Sequence, residues 1–346
     1  MKALVKYAKG DGNMEIRDVP EPVAGKEQIK IEVKAAGICG SDLHIYHDDI
    51  VIPLNPPVVT GHEFSGVIAE VGEGVTGWNV EDRVVSETAY EFCGTCEYCI
   101  NGFYNLCNRR KTLGYWYNGA FTQYTVVPAA RAHRLPDNVD FVGGALTEPL
   151  ACVTHAVLEL TQITAGDVVL VTGPGAIGLM TMQVAKAQGA TVIVAGMARD
   201  LKRLEVAQQL GADYIVNLQE KDLFDEINAI TNSRGTDIIL ECSGSARAAN
   251  DGLLAVKKGG QFTQIGLFSK PITIDFEKIA VREIKVTGSF GSRWTSWEKA
   301  LQLMAQEKIH LRPLVSDIFS ITEWEKAFTM FEEKKGLKIV LTPVRN

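Results

Sequence analysis

The sequence predicts an α/β protein with two parts, an antiparallel barrel-like domain and a doubly wound parallel sheet. The chain has 346 residues, more than one hydrophobic core usually accommodates. Its first part contains short strands of alternating apolar and polar residues, separated by Gly and Pro turns. Residues 164–265 instead alternate continuous apolar runs with helical segments, which is typical of a parallel sheet covered on both faces.

The barrel-like domain is predicted from both ends of the chain. Residues 2–5 and 28–33 alternate apolar and polar side chains, which indicates half-buried strands. Near the other end, helices near 297–306 and 322–333 precede an apolar strand at 338–341. We expect this last strand to pair back into the first domain.

The parallel sheet is predicted to begin with the buried strand 168–171, which is directly followed by a glycine-rich turn. A helix is expected over 179–188 and the next strand over 191–195. In this context a G-x-G-x-x-G turn lets the backbone approach a pyrophosphate at the amino terminus of the helix. The residues expected to contact a dinucleotide are Gly173, Gly175, Ala176, Ile177 and Gly178.

The residue at the end of the second parallel strand distinguishes NAD from NADP, because an acidic side chain there binds the adenosine ribose. That position carries Gly196, and Arg199 and Arg203 follow it. Cationic side chains can hold a 2′-phosphate, so the pattern favours NADP over NAD. Two alternatives remain: the cations form the solvated face of the next helix, or Asp200 reaches the ribose.

Four cysteines occur as Cys-x-x-Cys-x-x-Cys-x7-Cys, and this spacing predicts a structural zinc site. Four thiolates complete a tetrahedron and leave no position for a substrate, so the ion would stabilise the fold. The odd total of seven cysteines argues against a simple disulfide framework. The predicted ligands are Cys93, Cys96, Cys99 and Cys107.

A second group of metal-ligand side chains lies between Cys39 and Glu63. The segment from Cys39 to His44 reads Cys-Gly-Ser-Asp-Leu-His, and Gly61-His62-Glu63 follows after a Pro-rich loop. A thiolate, an imidazole and a carboxylate that leave one coordination position open are typical of a catalytic zinc. The sequence therefore predicts a second zinc in this stretch.

The charge and hydropathy of the chain exclude several functional classes. The net charge is −7 and the pI is about 5.5, which argues against nucleic acid or an anionic membrane as the partner. No apolar run has the length of a bilayer-spanning segment, and the first residues lack the apolar core of a secretory signal. We therefore expect a cytoplasmic protein that acts on a small molecule.

Together with the Thr-Glu-Pro-Leu segment at 147–150, these motifs resemble the zinc-dependent medium-chain dehydrogenases. The most similar branch is that of the polyol enzymes, the sorbitol, galactitol-phosphate and threonine dehydrogenases, and the resemblance covers essentially the whole chain. It implies a GroES-like β-barrel catalytic domain over residues 1–150, with the structural zinc lobe at about 90–110. A Rossmann domain would occupy 151–290, and residues 291–346 would return to the catalytic domain.

The resemblance also assigns the catalytic metal ligands. Cys39 and His62 match the two zinc ligands that the family shares, and Asp42 matches the acid that orients the histidine. In this branch a carboxylate is the third zinc ligand, and both Glu63 and Glu148 match positions that can supply it. The sequence leaves open which of the two binds zinc directly.

By the same resemblance, Ser41 would accept the proton of the substrate hydroxyl and His44 would pass it to solvent. The alternative for His44 is a surface histidine without this role. The implied activity is hydride transfer between NAD(P) and the secondary alcohol, or the matching ketone, of a polyol or sugar derivative. The alternatives are an L-threonine 3-dehydrogenase-like or other secondary-alcohol dehydrogenase and a non-enzymatic dinucleotide-binding protein. A homo-oligomer, either a dimer or a tetramer, is expected.

Overall fold

The computed structural model describes residues 1–268 and 270–344, and it confirms the predicted α/β fold. The chain forms two compact units. The segments of the first unit are Met1–Pro149, Ser292–Ala305 and the stretch from Leu311 onward. The segments of the second unit are Leu150–Gly291 and Gln306–His310. None of the helices in the described residues is long and apolar enough to cross a bilayer.

The elements are numbered in chain order. The strands are β1 (Lys2–Lys6), β2 (Met14–Asp18), β3 (Gln28–Gly37), β4 (Val58–Val59), β5 (Glu63–Val71), β6 (Arg83–Ser86), β7 (Ala89–Glu91), β8 (Lys111–Thr112), β9 (Tyr124–Pro128), β10 (Ala132–Arg134), β11 (Val168–Thr172), β12 (Thr191–Gly196), β13 (Tyr214–Asn217), β14 (Thr236–Glu241), β15 (Val256–Gln264), β16 (Lys285–Gly288), β17 (Val315–Ser320) and β18 (Lys338–Thr342). The α-helices are α1 (Gly40–Tyr46), α2 (Glu97–Ile100), α3 (Phe141–Gly144), α4 (Thr147–Thr154), α5 (Ala176–Ala187), α6 (Leu201–Gln209), α7 (Leu223–Thr231), α8 (Ala246–Ala255), α9 (Glu277–Val281), α10 (Trp294–Ala305) and α11 (Trp324–Glu332).

The second unit is built around a parallel sheet in the strand order β13-β12-β11-β14-β15-β16. The side chains of β11, β12 and β14 are almost all buried, as their continuous apolar sequences predict. The strand order reverses between β11 and β14. In sheets of this kind the nucleotide crevice lies outside the carboxyl ends of the strands at that reversal. The glycine-rich turn follows β11 and leads directly into α5, so it lies at that crevice.

The first unit contains a sheet in the strand order β10-β6-β5-β3-β18-β17, with β9 also paired to β3. Apolar side chains such as Ile31, Phe64 and Leu341 belong to one core beneath it. β18 pairs antiparallel with β3, with Val340 opposite Gly37. The last strand therefore lies next to β3 in the first unit.

β3 is the strand on which the candidate site is built. β5 pairs with one side of β3, with Glu63 opposite Gly37, and β18 pairs with the other side. β3 ends at Gly37 and α1 begins at Gly40, so Cys39 occupies the capping position between them. The first residues of β5 and β18, Glu63 and Lys338, therefore lie together at the end of β3, next to the segment that carries Cys39.

Two helices begin earlier than the sequence predicts. α5 begins at Ala176 rather than at residue 179, so Gly178 is a helix residue, and a Cβ there would overlap the Gly173 carbonyl oxygen. α10 begins at Trp294 rather than at residue 297. There the Arg293 N–H donates a hydrogen bond to the hydroxyl of Ser296 at 2.9 Å, which supports the first turn.

Candidate active site

Three metal-ligand side chains meet where β3, β5 and α1 join. The ligand atoms of Cys39, His62 and Glu63 all lie within 4.8 Å of one another. Glu63 begins β5 and His62 directly precedes it, and the two residues are buried, with 1% and 5% of their surface exposed. The structure thus brings together three of the residues that the sequence assigns to a catalytic zinc.

Asp42 connects the cysteine and the histidine of this group. Its Oδ2 accepts a hydrogen bond from the Cys39 N–H at 2.9 Å. Its Oδ1 faces Nδ1 of the His62 ring at 3.7 Å, which is ion-pair rather than hydrogen-bond distance, and the side chain is fully buried. A carboxylate on the Nδ1 side favours a ring orientation in which Nε2 is left to bind a metal.

Glu63 also faces the ammonium group of Lys338, the first residue of β18. Lys338 is buried, forms an ion pair with Glu63 Oε2 and donates a hydrogen bond to Ile38 O at 2.8 Å. Burial would lower the pKa of the Lys338 ammonium, but the charges of Glu63 and Cys39 outweigh this effect and raise it. Gly37 makes room for the pair, because a Cβ there would overlap Glu63 Oε2 and lie 3.1 Å from Lys338 Cε.

The donor set and its burial fit a zinc ion. Thiolate, imidazole and carboxylate are zinc ligands, and three of them leave the fourth tetrahedral position for a substrate. Neither carboxylate oxygen of Glu63 makes a hydrogen bond within the described chain, and the contact with Lys338 is an ion pair without hydrogen-bond geometry. Because a buried carboxylate is costly without compensation, Glu63 is suited to a second cation on its Oε1 side.

Glu148, the other carboxylate that matches the family pattern, occupies a different place in the first unit. It lies in the first turn of α4 and is largely buried. Among residues 1–268 and 270–344, the group of ligand atoms around Cys39 and His62 includes Glu63 and does not include Glu148. The geometry therefore favours Glu63 as the direct ligand, and the role of Glu148 stays a prediction.

The two predicted proton-transfer residues, Ser41 and His44, lie three positions apart on α1 and thus on one face of the helix. Tyr115 donates a hydrogen bond from its phenol to Ser41 Oγ at 2.7 Å. The Tyr115 ring also lies against the His62 ring, with centroids 5.3 Å apart. His44 is exposed, and its Nδ1 lies 2.8 Å from Asp49 Oδ1.

The four cysteines of the predicted structural site gather in one small lobe. Sγ of Cys93 lies 3.8 Å from that of Cys99 and 3.6 Å from that of Cys107, and the Cys96 and Cys99 sulfurs lie 3.4 Å apart. Sulfur atoms on a tetrahedral zinc lie about 3.8 Å apart, because each Zn–S bond is about 2.3 Å long. Hydrogen bonds from the backbone of Thr95 and Cys96 lower the pKa of Cys93 to about 5, which favours the thiolate that a metal requires.

The glycine-rich turn of the second unit has the geometry of a dinucleotide-binding turn. Gly173 has a positive φ of 85°, and a Cβ at Gly178 would overlap the Gly173 carbonyl oxygen. These two glycines are therefore required by the turn and by helix packing. A Cβ at Gly175 would meet no described atom within 4 Å, so packing does not require that glycine. Its open surroundings fit the close approach of a pyrophosphate to the backbone.

The end of β12 has little room for any side chain at residue 196. A Cβ at Gly196 would lie 2.8 Å from Pro174 Cγ, so the glycine is needed where the turn packs on the strand. Asp200 accepts from the Met197 N–H at 3.1 Å through Oδ2 and from the Arg203 guanidinium at 3.3 Å through Oδ1. The Asp200 carboxylate is thus engaged in local capping contacts.

Sequence reasoning missed two residues of the first-unit site, Lys338 and Tyr115. Lys338 is predicted only as the start of the last strand, and it lies 300 positions from Ile38, whose carbonyl it meets. Tyr115 lies in a loop without a motif, 74 positions from Ser41. A lysine that begins an otherwise apolar strand is the one local sign of the buried ion pair.

A buried thiolate–imidazole–carboxylate group and a dinucleotide-type turn are the parts of a metal-dependent, dinucleotide-dependent oxidoreductase. Two family models match the chain. The alcohol dehydrogenase GroES-like domain matches residues 25–137, and the zinc-binding dehydrogenase domain matches residues 176–306. The chain belongs to the zinc-type medium-chain alcohol dehydrogenase family.

Relatives with polyol-related names are similar over the whole length. A sorbitol dehydrogenase from Halalkalibacterium halodurans is 46% identical, over 99% of this chain and 100% of that protein. A D-arabitol-phosphate dehydrogenase from Enterococcus avium is 39% identical, over 99% of this chain and 97% of that protein. A solved zinc-binding dehydrogenase from Sinorhizobium meliloti 1021, bound to NADP, has a TM-score of 0.91 and 31% identity, and the match covers 99% of each chain. The protein is therefore a zinc-dependent oxidoreductase of the alcohol dehydrogenase type.

Proposed function

We propose that the protein transfers hydride between NAD(P) and the secondary hydroxyl of a polyol or a sugar-derived alcohol. The observation that carries the proposal is the buried group of Cys39, His62 and Glu63, whose ligand atoms lie within 4.8 Å of one another. The names sorbitol dehydrogenase and D-arabitol-phosphate dehydrogenase support a polyol or its phosphate as the substrate class.

Cys39, His62 and Glu63 would hold the catalytic zinc, with Glu148 as a second carboxylate that exchanges with Glu63 during turnover. When bound, zinc supplies positive charge that lowers the pKa of the substrate hydroxyl by several units. Ser41 then takes the proton that leaves this hydroxyl. His44, one turn further along α1, passes a proton toward solvent, which its exposed position favours.

Metal analysis tests both predicted zinc sites, since we expect two zinc ions per chain. Cys39→Ser is expected to lose one zinc and to abolish alcohol oxidation. Cys96→Ser is the matched variant in the cysteine lobe. It should lose the other zinc, and it should lower the stability of the protein before it affects turnover. A preparation with at most one zinc and undiminished turnover would contradict the proposal.

We propose NADP as the preferred cofactor. Three features support this choice: Pro174 crowds the position where an acid would bind the ribose, Asp200 is engaged in capping, and Arg199 is exposed near the end of β12. The NADP bound to the Sinorhizobium meliloti relative points the same way. The ratio of kcat/KM with NADP to that with NAD, at saturating alcohol, tests the choice, and a clear preference for NAD would refute it.

A panel of substrates tests the substrate class. It should contain polyols, polyol phosphates, sugar acids, threonine and simple secondary alcohols, each with both cofactors. The proposal expects kcat/KM to be highest with a polyol or polyol phosphate. Highest efficiency with threonine would favour the L-threonine 3-dehydrogenase alternative. Tight dinucleotide binding without turnover of any alcohol would favour a non-enzymatic role.

Oligomeric state and location are also proposals. β16 is an edge strand of the parallel sheet, and Val286 on it is half exposed, which supports strand pairing between copies in a dimer or tetramer. The sulfur atoms of Cys93, Cys96, Cys99 and Cys107 gather as one group that could hold a metal ion, which supports a reducing compartment such as the cytoplasm. Light scattering of the purified protein tests the first proposal, and cell fractionation tests the second.

A further inference from the structure

Tyr115 is a buried tyrosine that touches two residues of the proposed active site. Its phenol donates a hydrogen bond to Ser41 Oγ at 2.7 Å, and only 3% of its surface is exposed. Its ring lies against the imidazole of His62, tilted by 55° at a centroid distance of 5.3 Å. The same residue therefore contacts the proposed proton acceptor and one proposed metal ligand.

The loop that carries Tyr115 is held in place by backbone contacts. Gly114 has a positive φ of 80°, and a Cβ there would lie 2.7 Å from the Gly61 carbonyl oxygen. This close approach brings the backbone before Tyr115 onto the residue before His62. The Tyr115 carbonyl also accepts a hydrogen bond from the Asn55 N–H at 2.9 Å. Both anchors fix where the phenol points.

We propose that Tyr115 is a positioning residue, which holds the Ser41 hydroxyl in the orientation that proton transfer from the substrate requires. The proposal rests on the proposed function of Ser41. By donating to Oγ, Tyr115 occupies one lone pair of Ser41 and leaves the other for the substrate O–H. The Ser41 hydrogen must then point away from Tyr115, in the direction in which the proton leaves.

The proton and electron balance of the step leaves Tyr115 unchanged. The alcohol loses a hydride from its carbon to the oxidised nicotinamide, which is thereby reduced, and loses its hydroxyl proton to Ser41 Oγ. Ser41 releases its own proton in the same event, so that one proton reaches solvent for each hydride transferred. Tyr115 keeps its proton throughout, because its phenol only donates a hydrogen bond to Ser41 Oγ and takes no part in the transfer. It acts through Ser41 and touches neither the substrate nor the cofactor.

A double-mutant cycle tests this role. Tyr115→Phe removes only the phenol oxygen and keeps the ring against His62, so we expect kcat to fall about tenfold, with KM within about twofold of wild type. Ser41→Ala is expected to lower kcat by about a hundredfold or more. In the Ser41→Ala background, Tyr115→Phe should change kcat by less than about twofold, because the group it positions is already gone.

Two further measurements separate positioning from packing. The solvent deuterium isotope effect on kcat should rise in Tyr115→Phe, since proton transfer becomes slower. Zinc content and the visible absorption spectrum of the cobalt(II)-substituted protein should match wild type, because the ligands are unaltered. Tyr117→Phe is the matched control, since this nearby tyrosine hydrogen-bonds through its phenol to the exposed Glu91, and it should leave kcat unchanged.

The outcomes distinguish this inference from the proposed function. Wild-type kcat in Tyr115→Phe, while Ser41→Ala is impaired, would overturn the positioning role alone. An equal loss from Tyr115→Phe in both backgrounds would also overturn it, because the effect would then not pass through Ser41. An undiminished Ser41→Ala enzyme would overturn the proposed role of Ser41, and the positioning role with it.

Discussion

The ion pair between Lys338 and Glu63 gives a stability prediction that the structure makes quantitative. Both side chains are almost fully buried, with 4% and 1% of their surface exposed. Lys338→Met keeps the aliphatic volume and removes the ammonium, which leaves the Glu63 carboxylate uncompensated. Removal of one partner from a buried pair typically costs about 3–5 kcal/mol. We expect this loss in the free energy of unfolding of the metal-free first unit.

Urea unfolding followed by tryptophan fluorescence measures this loss selectively. All five tryptophans of the chain belong to the first unit, so the fluorescence transition reports the unfolding of that unit. These residues are Trp78, Trp116, Trp294, Trp297 and Trp324. The measurement is made on chelator-treated protein and repeated after zinc is added. We expect zinc to reduce the penalty to less than half, because the ion supplies the positive charge that the variant lacks.

Two control variants test whether the loss of stability comes from the unpaired buried charge. Glu63→Gln combined with Lys338→Met should recover most of the lost stability, because no unpaired charge remains. Lys335→Met breaks an exposed ion pair with Glu333 close to the same strand and should cost less than about 1 kcal/mol. A metal-free Lys338→Met protein within 1 kcal/mol of wild type would refute the reasoning. An equal penalty in the Glu63→Gln background would refute it as well.

The remaining predictions concern other parts of the chain. Cys107→Ser should lower the zinc content by one ion per chain and reduce the melting temperature, as metal analysis and calorimetry would show, and an unchanged zinc content would contradict it. Hydrogen bonds to Asp11 and Glu332 raise the pKa of His47. Its stabilisation is therefore complete below about pH 6.5, the unfolded value, and is lost as the pH rises through the raised folded value. Melting curves from pH 5.5 to 8.5 should show His47→Gln destabilised by less than about 1 kcal/mol at low pH only, and an equal effect at all pH values would oppose this. Arg199→Ala should lower kcat/KM for NADP about tenfold and leave that for NAD unchanged, and equal losses with both cofactors would argue against a 2′-phosphate contact.

The features that sequence analysis predicted well are those encoded over short distances. The apolar run 168–171 and the glycines after it predict a strand, a turn and a helix, because each depends on neighbouring residues. The spacing of Cys93, Cys96 and Cys99 likewise predicts a shared ligand geometry, since a chain segment this short has few ways to fold around one ion. The alternation of strands and helices was sufficient to predict the parallel sheet.

The features that it missed depend on contacts between distant segments. Lys338 meets Glu63 only because β18 and β5 pair with opposite sides of β3, and no local pattern encodes that register. Tyr115 lies beside His62 because Gly114 and Gly61 let two separate loops approach closely. The choice between Glu63 and Glu148 was also left open, since both carboxylates match the family pattern and only the relative placement of β5 and α4 favours one of them.

The late position of β18 in the chain has a consequence for how the protein is made. A nascent chain emerges from the ribosome with its first strands and both sets of proposed zinc ligands long before the segment that carries Lys338. The parallel-sheet unit, most of which is one continuous segment, can reach its native pairing while the first unit still lacks a strand next to β3. Glu63 therefore receives its lysine counter-charge only after β18 has been synthesised, so closure of the first sheet and neutralisation of the buried carboxylate follow synthesis of the whole parallel-sheet unit.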